Sequence, residues 1–231
     1  MKTSAPAQDA SKRAAAEYAA AQVMDGMILG LGSGSTAELA LAALAERVAQ
    51  GLRIAGIPTS ERTVALARKL GVPLSDFATH RALDLTIDGA DQVERGSLNL
   101  IKGLGGALLR EKIVAAASAR MMVVVDETKV VDRLGGAVPV PVEIVRFGYQ
   151  STLDRLTDAE LRPKLRVIDG AVFVTDGGNL VADCHLAAIQ NAAALQARIK
   201  AITGVVETGL FLGLATEVVI GRPGGVDVLG R

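Results

Sequence analysis

Aromatic residues are scarce in this sequence: they make up 3% of its 231 residues, and tryptophan is absent. Few side chains are therefore available to build stacking platforms for nucleic-acid bases. Lysine plus arginine number 25, as do aspartate plus glutamate, so the formal net charge is zero. A balanced chain has no overall electrostatic attraction to nucleic acid or to an anionic membrane. We therefore expect no nucleic-acid partner and no membrane partner.

Cysteine and histidine are also rare, with one cysteine, Cys184, and two histidines, His80 and His185. A single cysteine forms no intrachain disulfide, which fits the reducing cytoplasm where we expect the protein to reside. The histidines stand in no metal-ligand spacing, so the sequence predicts no metal site. No apolar run approaches the roughly 18 residues that a membrane span requires. Charged residues within 1–26 interrupt any signal-peptide core.

Short apolar segments alternate with helical segments through the first half of the chain. An Ala-rich helix is predicted to begin near Asp9 or Ser11. Predicted strands follow at 26–32, 52–57, 82–88 and 121–127, and predicted helices at 35–51, 58–71 and 106–120. This alternation is typical of βαβ units with a parallel sheet. We therefore predict an α/β fold with a Rossmann-like, open and mostly parallel sheet.

The second half of the chain has a different pattern. A Pro- and Val-rich segment, 135–145, reads as a crossing between domains, and a polar helix is predicted within 151–161. Short strands joined by Asp-Gly turns follow within 165–185, then a helix over 187–204, then apolar strands. We therefore predict a smaller α+β domain. The predicted domains are a catalytic α/β domain, 1–134 plus 206–231, and a small domain, 135–205.

Polar residues follow the predicted strands of the first half. Ser33-Gly34-Ser35-Thr36 comes after the first strand, Asp88-Gly89-Ala90-Asp91 closes the third, and Lys129 comes shortly after the fourth. Lys102 and its glycines precede the third helix. In an open α/β sheet, ligands bind outside the carboxyl ends of the strands. We therefore expect these segments to converge on one edge of the sheet.

The segment GLGSGST, residues 30–36, suits a phosphate group. Backbone N–H groups and hydroxyls at the positive end of a helix attract anions. The dinucleotide fingerprint is met only in its looser form, and the lysine of a Walker A loop is missing, so NAD is disfavoured and ATP more so. The alternative is a plain helix cap in which Ser35 or Thr36 is the capping residue.

Two further segments leave alternatives open on residue types alone. The carboxylates Asp88 and Asp91 can bind a divalent metal or sugar hydroxyls, or do acid–base work, but Asp-Gly turns also occur for purely structural reasons. The segment IKGLGGALLREK, 101–112, is a Gly-rich turn entering an apolar helix. Periodicity does not decide which of its terminal charges, Arg110, Glu111 or Lys112, faces inward, and three solvated charges remain the alternative.

Taken together, these motifs resemble type A ribose-5-phosphate isomerases. The motifs are GLGSGST (30–36), DGAD (88–91), KGLGGALLREK (102–112) and DETK (126–129), with PVEIVRFG, VTDGGN and GVVETGLF in the second half. Each motif is weak alone, but their order and spacing are specific and extend along nearly the whole chain.

The resemblance implies an aldose–ketose isomerase of carbohydrate metabolism. It would interconvert D-ribose 5-phosphate and D-ribulose 5-phosphate in the pentose phosphate pathway, with no cofactor and no metal, as a homodimer or tetramer. By the family pattern, Glu111 is the base, and Lys102, Asp88 and Asp91 bind the oxygens of the sugar. The implied substrate-binding residues are Ser33, Gly34, Ser35, Thr36, Gly89, Ala90, Gly103, Leu104, Gly105 and Lys129.

Other functions would use a related scaffold. A non-catalytic sugar-phosphate sensor would keep the Ser/Thr loop but would not need Glu111. A sugar-phosphate deaminase or an acyl-CoA transferase is a second enzymatic alternative.

Overall fold

The computed structural model describes residues 5–230. Residues 1–4 and 231, which belong to the predicted α/β domain, lie outside the described residues. The helices are α1 (Ala5–Ala21), α2 (Ser35–Ala49), α3 (Glu61–Leu70), α4 (Leu108–Ala116), α5 (Tyr149–Asp158) and α6 (Ala192–Lys200).

The strands of the described residues are mostly short. They are β1 (Ile28–Leu31), β2 (Ala55–Pro58), β3 (Leu83–Asp88), β4 (Gln92–Glu94), β5 (Leu100–Ile101), β6 (Ser118–Asp126), β7 (Val130–Val131), β8 (Val140–Ile144), β9 (Pro163–Leu165), β10 (Val167–Ile168), β11 (Ala171–Val172), β12 (Leu180–Cys184), β13 (Val205–Thr208), β14 (Leu210–Phe211), β15 (Glu217–Arg222) and β16 (Gly225–Gly230).

The chain divides into two compact units. Unit 2 comprises Asp91–Leu109 and Val131–Leu212, and unit 1 comprises the remainder of the chain, including Arg110–Val130. The predicted domain bounds stay a prediction. The two units differ from them because 91–109, 131–134 and 206–212 belong to unit 2.

Unit 1 is built on one six-stranded sheet of order β16-β15-β6-β3-β1-β2. Strands β15, β6, β3, β1 and β2 run parallel, and only the edge strand β16 is antiparallel to its neighbour. Helix α1 packs against α2 and β15. Leu29, Leu44, Leu85 and Val124 lie in the core between these helices and the sheet. The predicted α/β class with a mostly parallel open sheet is confirmed.

Unit 2 contains an antiparallel sheet of order β13-β8-β12-β9. Its strand β8 lies within the segment predicted as a crossing between domains, 135–145, and that interpretation was wrong. Val140, Val142 and Ile144 are fully buried in the core of unit 2, with Leu156 of α5 in the same cluster. The segment is rich in valine because these side chains fill the core of unit 2, and not because the segment links two domains.

Several predicted helix bounds were also wrong. The helix predicted over 106–120 ends at Ala116, because Ser118–Arg120 belongs to β6 and pairs with β3. Helix α3 begins only at Glu61, after Ser60 caps it by accepting a hydrogen bond from the Thr63 amide. Among the described residues, no helix combines the length and apolar character needed to cross a membrane.

Candidate active site

The carboxyl ends of the parallel strands of unit 1 converge, as the sequence predicts. The Gly32 amide, just after β1, donates to the carbonyl of Ile87 on β3 at 3.0 Å. The Ser33 amide donates to Oδ1 of Asp88, the last residue of β3, at 3.1 Å. On the other side, the Thr59 amide after β2 donates to the Leu31 carbonyl at 2.9 Å. Three strand-end segments therefore meet at one edge of the sheet.

A cluster of hydroxyls fixes the loop after β1. Ser33 Oγ lies 2.7 Å from Thr59 Oγ1, 2.7 Å from Ser60 Oγ and 3.0 Å from Thr63 Oγ1. Thr63 also donates to the Gly32 carbonyl at 3.1 Å. Sequence reasoning missed Thr63, although its position three residues after a Ser N-cap is a usable signal. The Ser33 hydroxyl and amide both have partners within unit 1, so Ser33 holds the loop in shape.

The N-terminus of α2 has no side-chain cap. Its N-cap residue is Gly34, with φ of 95°, and no side chain accepts a hydrogen bond there. The alternative in which Ser35 or Thr36 caps the helix was therefore wrong, because α2 already begins at Ser35. Ser35 is exposed and Thr36 is buried. The amide end of a helix carries partial positive charge that suits an anion.

Asp88 is a fully buried carboxylate at the end of β3. Besides the Ser33 amide, its Oδ1 accepts a hydrogen bond from the Gly89 amide at 2.7 Å. Gly32 packs so close that a Cβ there would lie 2.4 Å from Asp88 Oδ1 and 2.5 Å from Asp88 Cα. Glycine is therefore needed at position 32, because the chain after β1 lies too close to the end of β3 to leave room for a side chain.

Helix α4 distributes its three charges unequally. Glu111 is 5% exposed, and the apolar residues one turn away, Leu108 and Ala115, are buried as well. Arg110 instead pairs with Glu61 on the surface of unit 1, with Nη1 2.8 Å from Oε1. Lys112 is half-buried. The alternative of three solvated charges was therefore wrong for Glu111. A glutamate buried to this extent is uncommon in proteins.

Asp126 closes β6, and Lys129 follows in a short 3₁₀ turn. Burial raises the pKa of Asp126, but hydrogen bonds from Thr128 and Gln8 and the nearby charge of Lys129 outweigh it, so the pKa lies below its ordinary value. The Thr128 amide donates at 3.0 Å and Gln8 Nε2 at 3.1 Å. Sequence reasoning assigned no role to Asp126, which stabilises the turn that carries Lys129.

Lys102 is a buried cation of unit 2. It follows β5, is 2% exposed, and its Nζ lies 5.6 Å from the centroid of the Phe211 ring. Its amide donates to the Gly209 carbonyl at 2.9 Å. An aromatic face stabilises a desolvated ammonium group through its quadrupole. Phe211 was not predicted, since nothing in the sequence links it to Lys102.

The glycine loop after Lys102 is tied to Asp91. The Leu104 amide donates to Asp91 Oδ2 at 2.9 Å, and the Gly106 amide donates to the Gly103 carbonyl at 2.9 Å. The Leu104 side chain is 39% exposed. One oxygen of Asp91 therefore shapes the loop. Among the residues the structure describes, no cluster of three or more His, Cys, Asp or Glu side chains could hold a metal ion.

Comparison with known proteins identifies the family. The family model described as ribose 5-phosphate isomerase A (phosphoriboisomerase A) matches residues 55–225. The chain belongs to this family. Ribose-5-phosphate isomerase A of Gluconobacter oxydans (strain 621H) is 53% identical over 218 residues, covering 94% of this chain and 94% of that protein. These findings confirm the predicted family and the predicted aldose–ketose isomerase of the pentose phosphate pathway, and they disfavour the sensor alternative.

Solved structures of isomerases are similar to this chain over nearly its whole length. The ribose 5-phosphate isomerase of Plasmodium falciparum has 36% identity and a TM-score of 0.92, covering 96% of this chain and 99% of that chain. A D-ribose-5-phosphate isomerase in complex with phospho-erythronic acid has 34% identity and a TM-score of 0.91, covering 96% of this chain and 98% of that chain. The likeness therefore includes both units.

Proposed function

We propose that Glu111 is the catalytic base of the isomerisation and that Lys102, Asp88 and Asp91 bind the oxygens of the sugar. The observation that carries this proposal is the burial of three of these four charged side chains. Glu111, Lys102 and Asp88 are 5%, 2% and 0% exposed. Lysine, glutamate and aspartate side chains are almost never fully buried unless they are paired, because desolvation of a charge is costly. The burial of these three charged groups supports their assignment to the catalytic site.

The reaction needs one base that moves a proton between neighbouring carbons. In open-chain ribose 5-phosphate, Glu111 removes the proton from C2, and the electron pair forms the C1–C2 double bond of an enediolate. The C1 oxygen then carries the negative charge, which the ammonium group of Lys102 stabilises. Glu111 returns the proton to C1, and the proton of the C2 hydroxyl moves to the C1 oxygen as the C2 carbonyl forms. Atoms and charge balance without an oxidant or a cofactor.

Asp88 and Asp91 have the acceptor chemistry that sugar hydroxyls require. Ring opening moves a proton from the C1 hydroxyl and adds one to the ring oxygen, and a carboxyl group is suited to such a transfer. Asp88 Oδ1 and Asp91 Oδ2 already accept hydrogen bonds from backbone amides. These bonds hold both carboxylates in a fixed orientation before the substrate arrives, which supports their assignment to the sugar oxygens.

The remaining proposed contacts are to the phosphate group and to the rest of the sugar. The uncapped amide end of α2 supports the assignment of Ser33, Gly34, Ser35 and Thr36 to substrate binding. Gly89 and Ala90, next to Asp88, and Lys129 are proposed to contribute further contacts. Gly103, Leu104 and Gly105 are proposed to act through their backbone, since Leu104 and Gly105 present no polar side chain.

Replacement of Glu111 by glutamine tests the proposed base. Glu111→Gln keeps the size and hydrogen-bonding capacity of the side chain but removes the basic oxygen, so kcat should fall by about 10²–10⁴-fold. Isomerisation of ribose 5-phosphate is followed in a coupled assay. Binding of phospho-erythronic acid, measured by calorimetry, should persist because the other contacts remain.

Controls separate this role from general effects. Glu46→Gln makes the same change at an exposed position of α2 and should leave kcat unchanged. Near-normal turnover of Glu111→Gln would remove Glu111 from the role of base. Absence of ribose 5-phosphate isomerisation by the wild-type protein would refute the substrate assignment. Activity should survive EDTA, and its loss would refute the metal-free mechanism.

We further propose that the protein is a cytoplasmic homo-oligomer, dimer or tetramer, that binds no nucleic acid. The zero net charge supports the absence of a nucleic-acid partner, and the single cysteine supports a cytoplasmic location. Apolar strands near the C-terminus, among them β13, supply surface for an interface between copies. Light scattering after gel filtration should give at least twice the mass of one chain, and a monomer would contradict the proposal.

A further inference from the structure

Arg166 is a buried arginine of unit 2 that the proposed mechanism does not use. Arg166 is 9% exposed and directly follows β9. Its backbone is fixed on both sides, since its amide donates to the Val181 carbonyl at 2.8 Å and its carbonyl accepts from the Phe173 amide at 3.0 Å. Its guanidinium carbon lies 5.8 Å from the centroid of the Phe173 ring. The backbone of Arg166 is therefore fixed by hydrogen bonds, and its guanidinium group lies near an aromatic ring.

Asp183 on β12 orients the guanidinium group. Arg166 Nε donates to Asp183 Oδ2 at 2.9 Å, and Nη2 donates to Oδ1 of the same carboxylate. Two parallel hydrogen bonds from a planar guanidinium to a planar carboxylate fix both distance and orientation. The Asp183 side chain is 17% exposed, so solvent weakens this pair only in part. The third nitrogen, Nη1, is thereby directed away from Asp183.

Nη1 holds the glycine loop that follows Lys102. It donates to the carbonyl of Gly103 at 2.9 Å and to the carbonyl of Leu104 at 2.8 Å. The amide of Leu104 belongs to the same peptide unit as the Gly103 carbonyl, and it donates to Asp91 Oδ2 at 2.9 Å. One peptide unit is therefore held from both sides, by Arg166 through its carbonyl and by Asp91 through its amide.

The glycines let the loop take this shape. Gly103 and Gly106 have φ of 99° and 85°, a region that other residues rarely adopt. A Cβ on Gly106 would lie 2.3 Å from the Phe173 ring, so the loop rests on the same ring that flanks Arg166. Arg166, Phe173 and the loop therefore form one packed arrangement within unit 2, directly adjoining Lys102 in the chain.

We propose that Arg166, oriented by Asp183, is a positioning residue for Lys102 and for the loop 103–106. It fixes the two carbonyls that follow Lys102, so that the lysine and the loop amides are in place before the enediolate forms. Groups that stabilise a developing charge act best when they are preorganised, because no reorganisation is then needed during the reaction. This inference rests on the proposed role of Lys102.

A double-mutant cycle tests the inference. Arg166→Lys keeps the positive charge beside Asp183, but an ammonium group cannot reproduce the two-point contact and also hold both carbonyls. Misplacement of a catalytic group by about 1 Å can cost about 100-fold, and we expect a loss of kcat of about 10–100-fold in the otherwise wild-type protein. In a Lys102→Ala background the same substitution should lower kcat by a clearly smaller factor, because one of the groups it positions is gone and only the loop 103–106 remains to be displaced.

A matched control uses Arg53, an exposed arginine of unit 1 that makes a similar two-point contact with Asp25. Arg53→Lys should leave kcat and KM unchanged. Circular dichroism and thermal unfolding define the folded fraction, and kcat is expressed per folded protein. Should Arg166→Lys fail to fold, the variant Arg166→Met with Asp183→Asn, which leaves no buried charge unpaired, takes its place in the cycle.

The outcomes distinguish this inference from the proposed function. Equal losses of kcat from Arg166→Lys in both backgrounds would assign Arg166 to general stability and overturn the positioning role. No loss in the wild-type background would overturn it as well. An unchanged kcat/KM for Lys102→Ala alone would instead refute the proposed role of Lys102, and the positioning role with it.

Discussion

The close approach of Gly32 to Asp88 allows a sharp test of the site geometry. A methyl group added by Gly32→Ala would lie 2.4 Å from Asp88 Oδ1 and 2.5 Å from Asp88 Cα. Carbon atoms in contact prefer about 3.5–4.0 Å. Because one of the two clashes is with backbone, a rotation of the Asp88 side chain alone cannot relieve it. The end of β3 or the loop after β1 must therefore move by about 1 Å.

Both stability and activity should respond to this movement. Overpacking of a well-packed site costs about 1–3 kcal/mol. The displaced carboxylate also loses the geometry of the Ser33 amide bond, which is 3.1 Å long. A shift of about 1 Å in a catalytic group can lower the rate about 100-fold. We therefore expect kcat/KM of Gly32→Ala to fall by about 100-fold, beyond any loss of folded protein.

The control for this prediction, Gly30, lies two residues earlier, within β1. A Cβ at Gly30 would lie 1.9 Å from Thr86 Oγ1, so Gly30→Ala overpacks the same pair of strands away from Asp88. Thermal unfolding should show both variants destabilised. In the coupled assay, at a temperature where both are folded, only Gly32→Ala should lose most of its kcat/KM. Wild-type activity of Gly32→Ala, or an equal loss in Gly30→Ala, would refute the reasoning.

Two further predictions follow from titrating groups. The pKa of Asp126 is lowered by its hydrogen bonds, so its contribution to stability is complete above the unfolded-state pKa and disappears as the pH falls through the folded-state pKa. Thr128→Val removes one of these hydrogen bonds, so the pKa of Asp126 should be lowered less in the variant. Its free energy of unfolding, measured with urea, should therefore fall less than that of the wild type between about pH 6 and about pH 3. An equal fall in both proteins would contradict this account. Burial, with Asp183 beside it, raises the pKa of Cys184 to about 12. A thiol reagent at neutral pH should react slowly with the native protein and completely in urea, and rapid native labelling would argue against a buried thiol.

The architecture of unit 1 could be predicted because its signals are local. Apolar segments of strand length alternate with helices, and Gly71 ends α3 in the left-handed conformation, with φ of 73°, where the sequence predicts a stop. The end of α4 could not be predicted in the same way. Ser118 and Arg120 are compatible with a helix, and only their pairing with β3 places them in a strand. Strand pairing is a tertiary property, and it overrides local propensity.

The candidate site was predictable as a set of segments but not as a set of side chains. The strand-end rule gave the segments, since parallel strands share a carboxyl edge. It could not separate Glu111 from Arg110 and Lys112, because adjacent helical residues differ in burial only through what packs on each face. The family resemblance selected Glu111, and the structure independently shows that Glu111 is the most buried of the three. Its assignment as the base remains the proposal that the glutamine variant tests.

Arg166 shows why part of a site escapes sequence reasoning. Its partner Asp183 is 17 residues away, and the two meet only because β9 pairs with β12 in one register, with Lys164 opposite Asp183. The sequence KGLGG reads as a uniformly flexible turn, yet its glycines differ. Gly106 has a positive φ and packs on Phe173, whereas a Cβ on Gly105 would meet nothing within 4 Å. The Gly103–Leu104 peptide unit, which follows Lys102, is held at both faces, so the glycines of this loop serve its fit to Arg166, Asp91 and Phe173.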